Sequence, residues 1–295
     1  MSKIDLNNIS HSYNPNDAEP KYALNPFSMT WENGKRYAIL GPSGCGKTTM
    51  LNIVSGLVRP SAGNILFDDK DVTDLKTESR NIAQVFQFPV IYNTMTVYEN
   101  LAFPLKCRDF LKDKIEERVN SVADTLNLKS FLNSPARKLT ADQKQLISLG
   151  RGLVREDVAA VLMDEPLTVI DPDLKFRLRR KLKEINEEFK TTLVYVTHDQ
   201  NEAMTFADNI IVMSEGEVVQ AGTPKELFER PNTTFVGYFI GSPAMNLFDS
   251  ELSSSNSLKI NDTIVKTSTD LSSLKSKSLK LGIRSEFIKI AENQK

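Results

Sequence analysis

Hydrophobic positions along this 295-residue chain follow three patterns in turn. Near the N-terminus they alternate. Lys3-Ile-Asp-Leu6 and Phe27-Ser-Met-Thr-Trp31 put every second side chain on one face, as half-buried strands do. The first of these reads as an edge strand. His11-Ser-Tyr-Asn-Pro-Asn-Asp17 has turn chemistry, and Asn33-Gly34 predicts a hairpin turn into the next strand. Asn64-Ile-Leu-Phe67 follows a further turn at Ser61-Ala-Gly63. Between these runs, Tyr37-Ala-Ile-Leu40 is a continuous apolar strand and Thr49-Met-Leu-Asn-Ile-Val-Ser55 a helix.

From about Met95 to Leu153 the period lengthens. Ile115, Val119, Val122 and Leu126 share one helical face, and a second helix runs from Gln143 to Val154. Thereafter fully apolar strands alternate with amphipathic helices. Val158-Ala-Ala-Val-Leu-Met163 leads into Asp164-Glu165-Pro166. Leu174, Leu178, Leu182, Ile185 and Phe189 form a helical stripe, and Thr192-Leu-Val-Tyr-Val196 ends at Thr197-His198. Asn209-Ile-Ile-Val-Met213 and Glu217-Val-Val-Gln220 face each other across Glu215-Gly216. Strands alternating with helices imply an α/β fold with a largely parallel core sheet. After about Ser242 the chain becomes rich in serine, threonine, lysine and asparagine, with short apolar alternations that predict a small β segment.

Composition narrows the class. Hydrophobic residues make up 40% and charged residues 25%, which is ordinary for a globular protein. The net charge of −1 implies no surface for a polyanion, so no nucleic-acid partner is expected. Two cysteines, Cys45 and Cys107, form no disulfide framework and fit a reducing compartment. No apolar run reaches the length of a membrane span and the first residues are not a signal peptide, so any membrane role is expected to be peripheral, through a partner.

The chemistry begins at Gly41-Pro-Ser-Gly-Cys-Gly-Lys-Thr48, between the strand and the helix named above. It matches the phosphate-binding pattern G-x-x-x-x-G-K-[ST]. Glycines let successive N–H groups turn inward toward phosphate oxygens, and the following helix adds the positive end of its dipole. Gly41, Pro42, Ser43, Gly44, Cys45, Gly46, Lys47, Thr48 and Thr49 are therefore candidate ATP ligands. Lys47 supplies charge to the β- and γ-phosphates, and Thr48 a hydroxyl to Mg²⁺. Cys45 has two readings, a thiolate favoured by the local positive potential or a small space-filling residue.

Asp164 ends an apolar strand, where a second Mg²⁺-holding carboxylate belongs in phosphate-loop ATPases. Glu165, one residue on, is placed to polarise an attacking water. His198 ends the next strand and is one of only two histidines. Gln87, in Gln84-Val-Phe-Gln87, carries an amide suited to both metal and water.

With these pieces in place, the chain resembles the ATP-binding subunits of ABC transporters, and more narrowly the carbohydrate-importer group that includes the maltose and glycerol-phosphate systems. The matching segments are the phosphate loop, Val85-Phe-Gln87, Thr96-Val-Tyr-Glu-Asn100, Leu162-Met-Asp-Glu-Pro166, Val196-Thr-His-Asp199, Glu202-Ala-Met204 and Gly241-Ser-Pro-Ala-Met-Asn246, with a last echo at Leu281-Gly-Ile-Arg-Ser-Glu286. The resemblance implies a phosphate-loop ABC ATPase fold with a mixed sheet, an antiparallel β subdomain and a helical subdomain at about residues 95–155. This nucleotide-binding domain is expected over residues 1–240. A short, incomplete or truncated regulatory-type β segment is expected over 241–295. The resemblance further implies Gln87 as the Q-loop residue touching Mg²⁺, Glu165 as catalytic base, His198 as switch histidine, Asp171 in the D-loop and Tyr13 stacking on adenine. It implies integral-membrane permease subunits as partners, a second ATPase subunit, and, indirectly, an extracytoplasmic solute-binding protein. The expected place is the cytoplasmic face of the plasma membrane, with ATP and Mg²⁺ as cofactors and a sugar or polyol such as glycerol or glycerol phosphate as solute.

Two features depart from the family or stand out against it. The family's signature, Leu-Ser-Gly-Gly-Gln, here reads Leu139-Thr140-Ala141-Asp142-Gln143. With Leu167-Thr-Val-Ile-Asp171 it resembles the paired, non-identical ATPases of bacterial glycerol importers. Asp142 is expected to cap its helix, and in doing so to take the N–H groups that the partner site's γ-phosphate needs and to repel that phosphate; Ala141 adds a methyl where close approach is wanted. Phe88-Pro-Val-Ile-Tyr-Asn-Thr94 is unusually apolar, as either core packing or a docking surface for the permease. Two rival functions remain open at this point: a non-transport ABC ATPase, and a catalytically weak nucleotide-binding subunit.

Overall fold

The computed structural model describes residues 2–17, 19–274 and 278–289; residues 290–295 of the expected C-terminal segment lie outside them. The chain divides into two compact units at Thr223 and Pro224.

The first unit opens with β1 (Ile4–Ser12) and β2 (Tyr22–Trp31), then β3 (Arg36–Leu40), α1 (Lys47–Ser55), β4 (Ala62–Phe67), β5 (Lys70–Asp71) and β6 (Ile82–Val85). Strands β2-β1-β4-β5 form an antiparallel sheet. Strand β1 is therefore an inner strand, with Ile4 opposite Trp31 on one side and Phe67 on the other, and not the edge its alternation suggested. It also takes in His11 and Ser12 from the expected turn. Asn33-Gly34 does turn the chain, but β2 and β3 lie in different sheets, so the expected hairpin is absent. The turn is held instead by Thr192 Oγ1, which accepts from Gly34 N at 2.9 Å, and by Asn186 Nδ2, which donates to Gly34 O at 2.9 Å.

Three helices follow, α2 (Val97–Lys106), α3 (Lys112–Thr125) and α4 (Ala141–Leu153). Thr96 and Glu99 close a capping box at the start of α2. Then come β7 (Ala160–Asp164), α5 (Pro172–Phe189), β8 (Leu193–Thr197), α6 (Gln200–Phe206), β9 (Asn209–Ser214) and β10 (Glu217–Gly222). The second sheet has the order β10-β9-β3-β8-β7-β6. All its neighbours are parallel except the β9–β10 hairpin. Its strands are apolar on both faces because both faces are covered. Ile39, Leu162 and Val194 pack with Trp31, Met50 and Ile65 from the antiparallel sheet and α1. Met163 and Tyr195 point the other way, into a core with Leu101, Val119, Leu149 and Leu178 from the helices.

The second unit contains α7 (Pro224–Glu229), α8 (Thr234–Phe239) and an antiparallel sheet of β11 (Asn246–Ser254), β12 (Ser257–Ile260), β13 (Thr263–Lys266) and β14 (Ser278–Ile283), in the order β13-β12-β11-β14. Arg284 explains why this unit begins before residue 240. Its buried guanidinium lies 3.9 Å from the centroid of the Phe228 ring. It donates to Phe228 O at 2.7 Å and Ile240 O at 2.5 Å, tying both helices to the end of β14.

A second buried arginine anchors the first unit. Arg80, 3% exposed, donates to the carbonyls of Ile53, Val54, Thr73 and Leu75. Two of these belong to the last turn of α1, where Ile53 O also accepts from Gly56 N at 3.2 Å. Arg80→Met removes all four bonds and is expected to lower unfolding free energy by about 3 kcal/mol in urea titration.

Candidate ATPase site

The phosphate loop is shaped by its glycines. Gly46 has φ +103°, and a Cβ there would lie 2.5 Å from Ala23 O. Gly44 has φ +79° but nothing within 4 Å, so its open side faces the cleft. Pro42, Ser43, Gly44 and Thr48 are exposed, whereas Cys45, Lys47 and Thr49 are buried. Lys47 Nζ donates to Gly41 O at 2.8 Å and Pro42 O at 2.7 Å, which holds the ammonium beneath the loop. Cys45 is a packing residue: burial pushes its thiol pKa up, and the smaller pull of Lys47 does not reverse this. The reading as a favoured thiolate is thereby corrected.

A cleft of about 520 Å³ opens over this loop. Tyr13 flanks it, 61% exposed, with its hydroxyl 3.1 Å from Thr49 Oγ1 and its ring edge-to-face with His11. The exposed ring is suited to stacking on a planar base. Across the cleft, Glu165 has φ +43°, a left-handed conformation rare for a glutamate, held by a 3.0 Å bond from its N–H to Val196 O. That twist aims its carboxylate into the cleft. Gln87 Nε2 donates to Glu165 Oε2 at 3.4 Å, and His198 Nδ1 lies 3.1 Å from Oε1. Gln87, Glu165 and His198, far apart in sequence, thus meet at one carboxylate.

Asp164 lies behind, 9% exposed. Burial raises its pKa; a hydrogen bond from Thr48 opposes this, and the Glu165 charge adds to it. The Thr48–Asp164 pair therefore couples the hydroxyl and the carboxylate expected to hold Mg²⁺. Asp171 stands away from this cluster as the N-cap of α5, accepting from Asp173 N at 3.0 Å. In the signature segment, Thr140 occupies the N-cap position of α4 and Asp142 the first turn. The Gln143 side chain accepts from Thr140 N at 3.1 Å, and the Asp142 carboxylate accepts from the Thr140 hydroxyl. Asp142 is thus not the cap, and its expected competition for backbone N–H groups is corrected. Leu139 packs inward and Ala141 is exposed.

Two residues at the site escaped the sequence reading. Thr168 Oγ1 donates to Glu165 O at 3.0 Å and lies 3.4 Å from Glu165 Oε2; its only signal is a hydroxyl three residues past the glutamate. Gln145, fully buried, donates to Phe86 O at 3.1 Å and Pro166 O at 2.9 Å, bracing the neighbours of Gln87 and Glu165. A glutamine on the apolar face of α4 was the available signal.

A parallel sheet carrying a phosphate loop, an acidic pair and a histidine at the same strand ends defines a phosphate-loop ATPase. The ABC transporter family profile matches residues 24–168. The sn-glycerol-3-phosphate import ATP-binding protein UgpC 3 of Agrobacterium fabrum is 43% identical over 87% of this chain and 71% of its own length. The corresponding UgpC of Psychromonas ingrahamii is 39% identical over 99% and 76%. Among solved structures, cbiO1 of Clostridium perfringens, part of the ABC transporter complex cbiONQ, superposes with TM-score 0.68 at 28% identity, over 77% of this chain and 90% of its own. The dimeric post-hydrolysis cassette MJ0796, bound to ADP and Pi, gives 0.67 at 29% identity, over 75% and 98%. The chain belongs to the family of ABC transporter ATP-binding proteins, and it is an ATPase that uses ATP with Mg²⁺. Among the described residues no helix is long and apolar enough to cross a membrane.

The raised Asp164 pKa has a consequence for stability. The folded state holds the proton to higher pH than the unfolded chain, so stability is lost as pH rises through the interval between the two pKa values. Without nucleotide or Mg²⁺, Asp164→Asn is therefore expected to raise the thermal midpoint at pH 7. The gain should vanish below the normal carboxylate range, as calorimetry across pH can check.

Proposed function

We propose that this chain is the ATP-hydrolysing subunit of a bacterial importer, peripheral on the cytoplasmic side of its permease subunits and served by an extracytoplasmic solute-binding protein. The solute class is a phosphorylated polyol of the sn-glycerol-3-phosphate type, a reading supported by the names of the relatives. The observation that carries the ATPase assignment is the Glu165 carboxylate held between Gln87 and His198 at the mouth of the phosphate loop.

The roles follow from that geometry. Backbone N–H groups of residues 41–49 and Lys47 receive the phosphates, and the Tyr13 ring receives the base. Thr48, Asp164 and Gln87 would hold Mg²⁺, which would supply charge that neutralises the phosphate oxygens. Glu165 accepts the proton of the attacking water, and His198 and Gln87 hold its carboxylate in line. Phe88 and Val90, 70% and 52% exposed next to Gln87, offer apolar surface to the permease. That exposure favours docking over core packing for these two side chains, while Ile91 beside them packs against the helical core.

Glu165→Gln is expected to keep ATP binding and to lower kcat by about 100-fold or more. Lys47→Ala should weaken ATP binding itself. In the assembled transporter, uptake of labelled sn-glycerol-3-phosphate should fall with Glu165→Gln. Wild-type turnover in that variant would overturn the base assignment, and a wild-type complex that takes up no sn-glycerol-3-phosphate would overturn the solute.

A second reading concerns the assembly. Each cassette in a dimer offers its signature to the other's γ-phosphate as an anion site at a helix start. In this chain the Thr140 hydroxyl is engaged by Asp142, and the carboxylate adds negative charge there. At about 4 Å and an effective dielectric of about 20, two unit charges interact by roughly 4 kcal/mol. This favours pairing with a non-identical ATPase whose own signature completes the Glu165 site. Within the complex, loss of Glu165 should remove most turnover and loss of the partner's glutamate less. Equal losses, or an active homodimer, would overturn this reading.

A further inference from the structure

The motif after His198 leaves one buried carboxylate without a role in the chemistry. Glu202, in α6, is 7% exposed yet carries a dense set of partners. Its Oε2 accepts from the Tyr195 hydroxyl and from the Thr197 hydroxyl, each at 2.9 Å. Its Oε1 lies 3.2 Å from Arg179 Nη1 and 3.9 Å from Lys175 Nζ, both on α5. Thr197 Oγ1 in turn accepts from Asp199 N at 3.0 Å. The Asp199 carboxylate accepts from Asn201 N at 2.7 Å and Glu202 N at 3.3 Å.

These bonds close a ring around His198. The residue before it and the residue after it are joined through one hydroxyl, and that hydroxyl is fixed by Glu202. The exposed imidazole has no tight packing of its own, so its 3.1 Å approach to Glu165 depends on the backbone that carries it. A buried carboxylate is costly unless paired, and here the compensation is shared between strand β8 and helix α5. Burial, with Glu202 next, raises the Tyr195 pKa, which keeps its hydroxyl a donor. A simple apolar contact would have filled the same space without choosing one backbone conformation for Thr197, His198 and Asp199.

We infer that Glu202 is a positioning residue for the switch histidine, setting His198 against Glu165 through Thr197 and tying that register to helix α5 through Arg179. This rests on the reading of Glu165 and His198 given above. Asp171 caps helix α5, so the same carboxylate links the segment around Asp171 to the imidazole.

The test measures Mg-ATP turnover in the assembled complex and the His198 resonance in the full chain. Glu202→Gln, which keeps the shape and removes the charge, is expected to lower kcat about tenfold with KM for ATP within about twofold of wild type. Thr197→Val should do the same, and Thr197→Ser, which restores the hydroxyl, should recover the rate. The chain's two histidines, His11 and His198, make the second readout direct. With His11→Gln as the assignment control, the His198 ring proton resonance should move in Glu202→Gln and Thr197→Val toward its position in Glu165→Gln. Unchanged kcat in both variants, or lowered kcat with an unmoved His198 resonance, would overturn the inference. If Glu165→Gln itself turned over like wild type, the site reading would fail; if it were slow while Glu202→Gln was normal, only the positioning role would fail.

Discussion

Parallel pairing of β3, β8 and β7 is the constraint on which the site depends. Leu40 lies opposite Thr197, and Asp164 opposite Val196, so the three strands finish at one edge of the sheet. Neighbouring strands sit about 4.8 Å apart, so whatever follows each strand end is within reach of the next. The phosphate loop follows the first, His198 the second and Glu165 the third. None of these side chains needs a long-range contact of its own to find the others. The two cores on either face of the sheet stabilise that pairing, and the β9–β10 hairpin completes one side of it.

Much of this was legible in the sequence, because the signals were strong and local. A complete phosphate-loop pattern between a strand and a helix, and continuous apolar runs ending in charged residues, specify both the fold and three strand ends. The misreadings share one cause. Alternation in Lys3-Ile-Asp-Leu6 reports which side chains point inward but not how many strands flank the segment. The paired carboxylates and carbonyls of neighbours leave no trace in a local pattern. Asn33-Gly34 reports a reversal of chain direction but not that the next strand joins another sheet. Cys45 looked electropositive from its neighbours in sequence, yet desolvation, which depends on the whole fold, is the larger effect. Thr168 and Gln145 gave only weak signals because their partners are backbone carbonyls and a carboxylate oriented by an unusual φ.

The altered signature shows the limit of substitution logic. Asp142 replaces a glycine of the family pattern, and helix-capping preference alone would place its carboxylate on backbone N–H groups. Thr140 already holds the cap position, so the carboxylate turns to the threonine hydroxyl instead. The consequence passes from the backbone to a side-chain hydroxyl.

The left-handed backbone of Glu165 bears on how this protein drifts over evolutionary time. Asparagine and glycine occupy that conformation with less strain than glutamate does. Selection for folding alone would therefore favour their arrival at position 165, and each arrival would make the chain easier to fold while removing its carboxylate from the cleft. Copies released from the demand for turnover are expected to lose glutamate here early, so this one position distinguishes a working lineage from one that persists only as a nucleotide-binding shell.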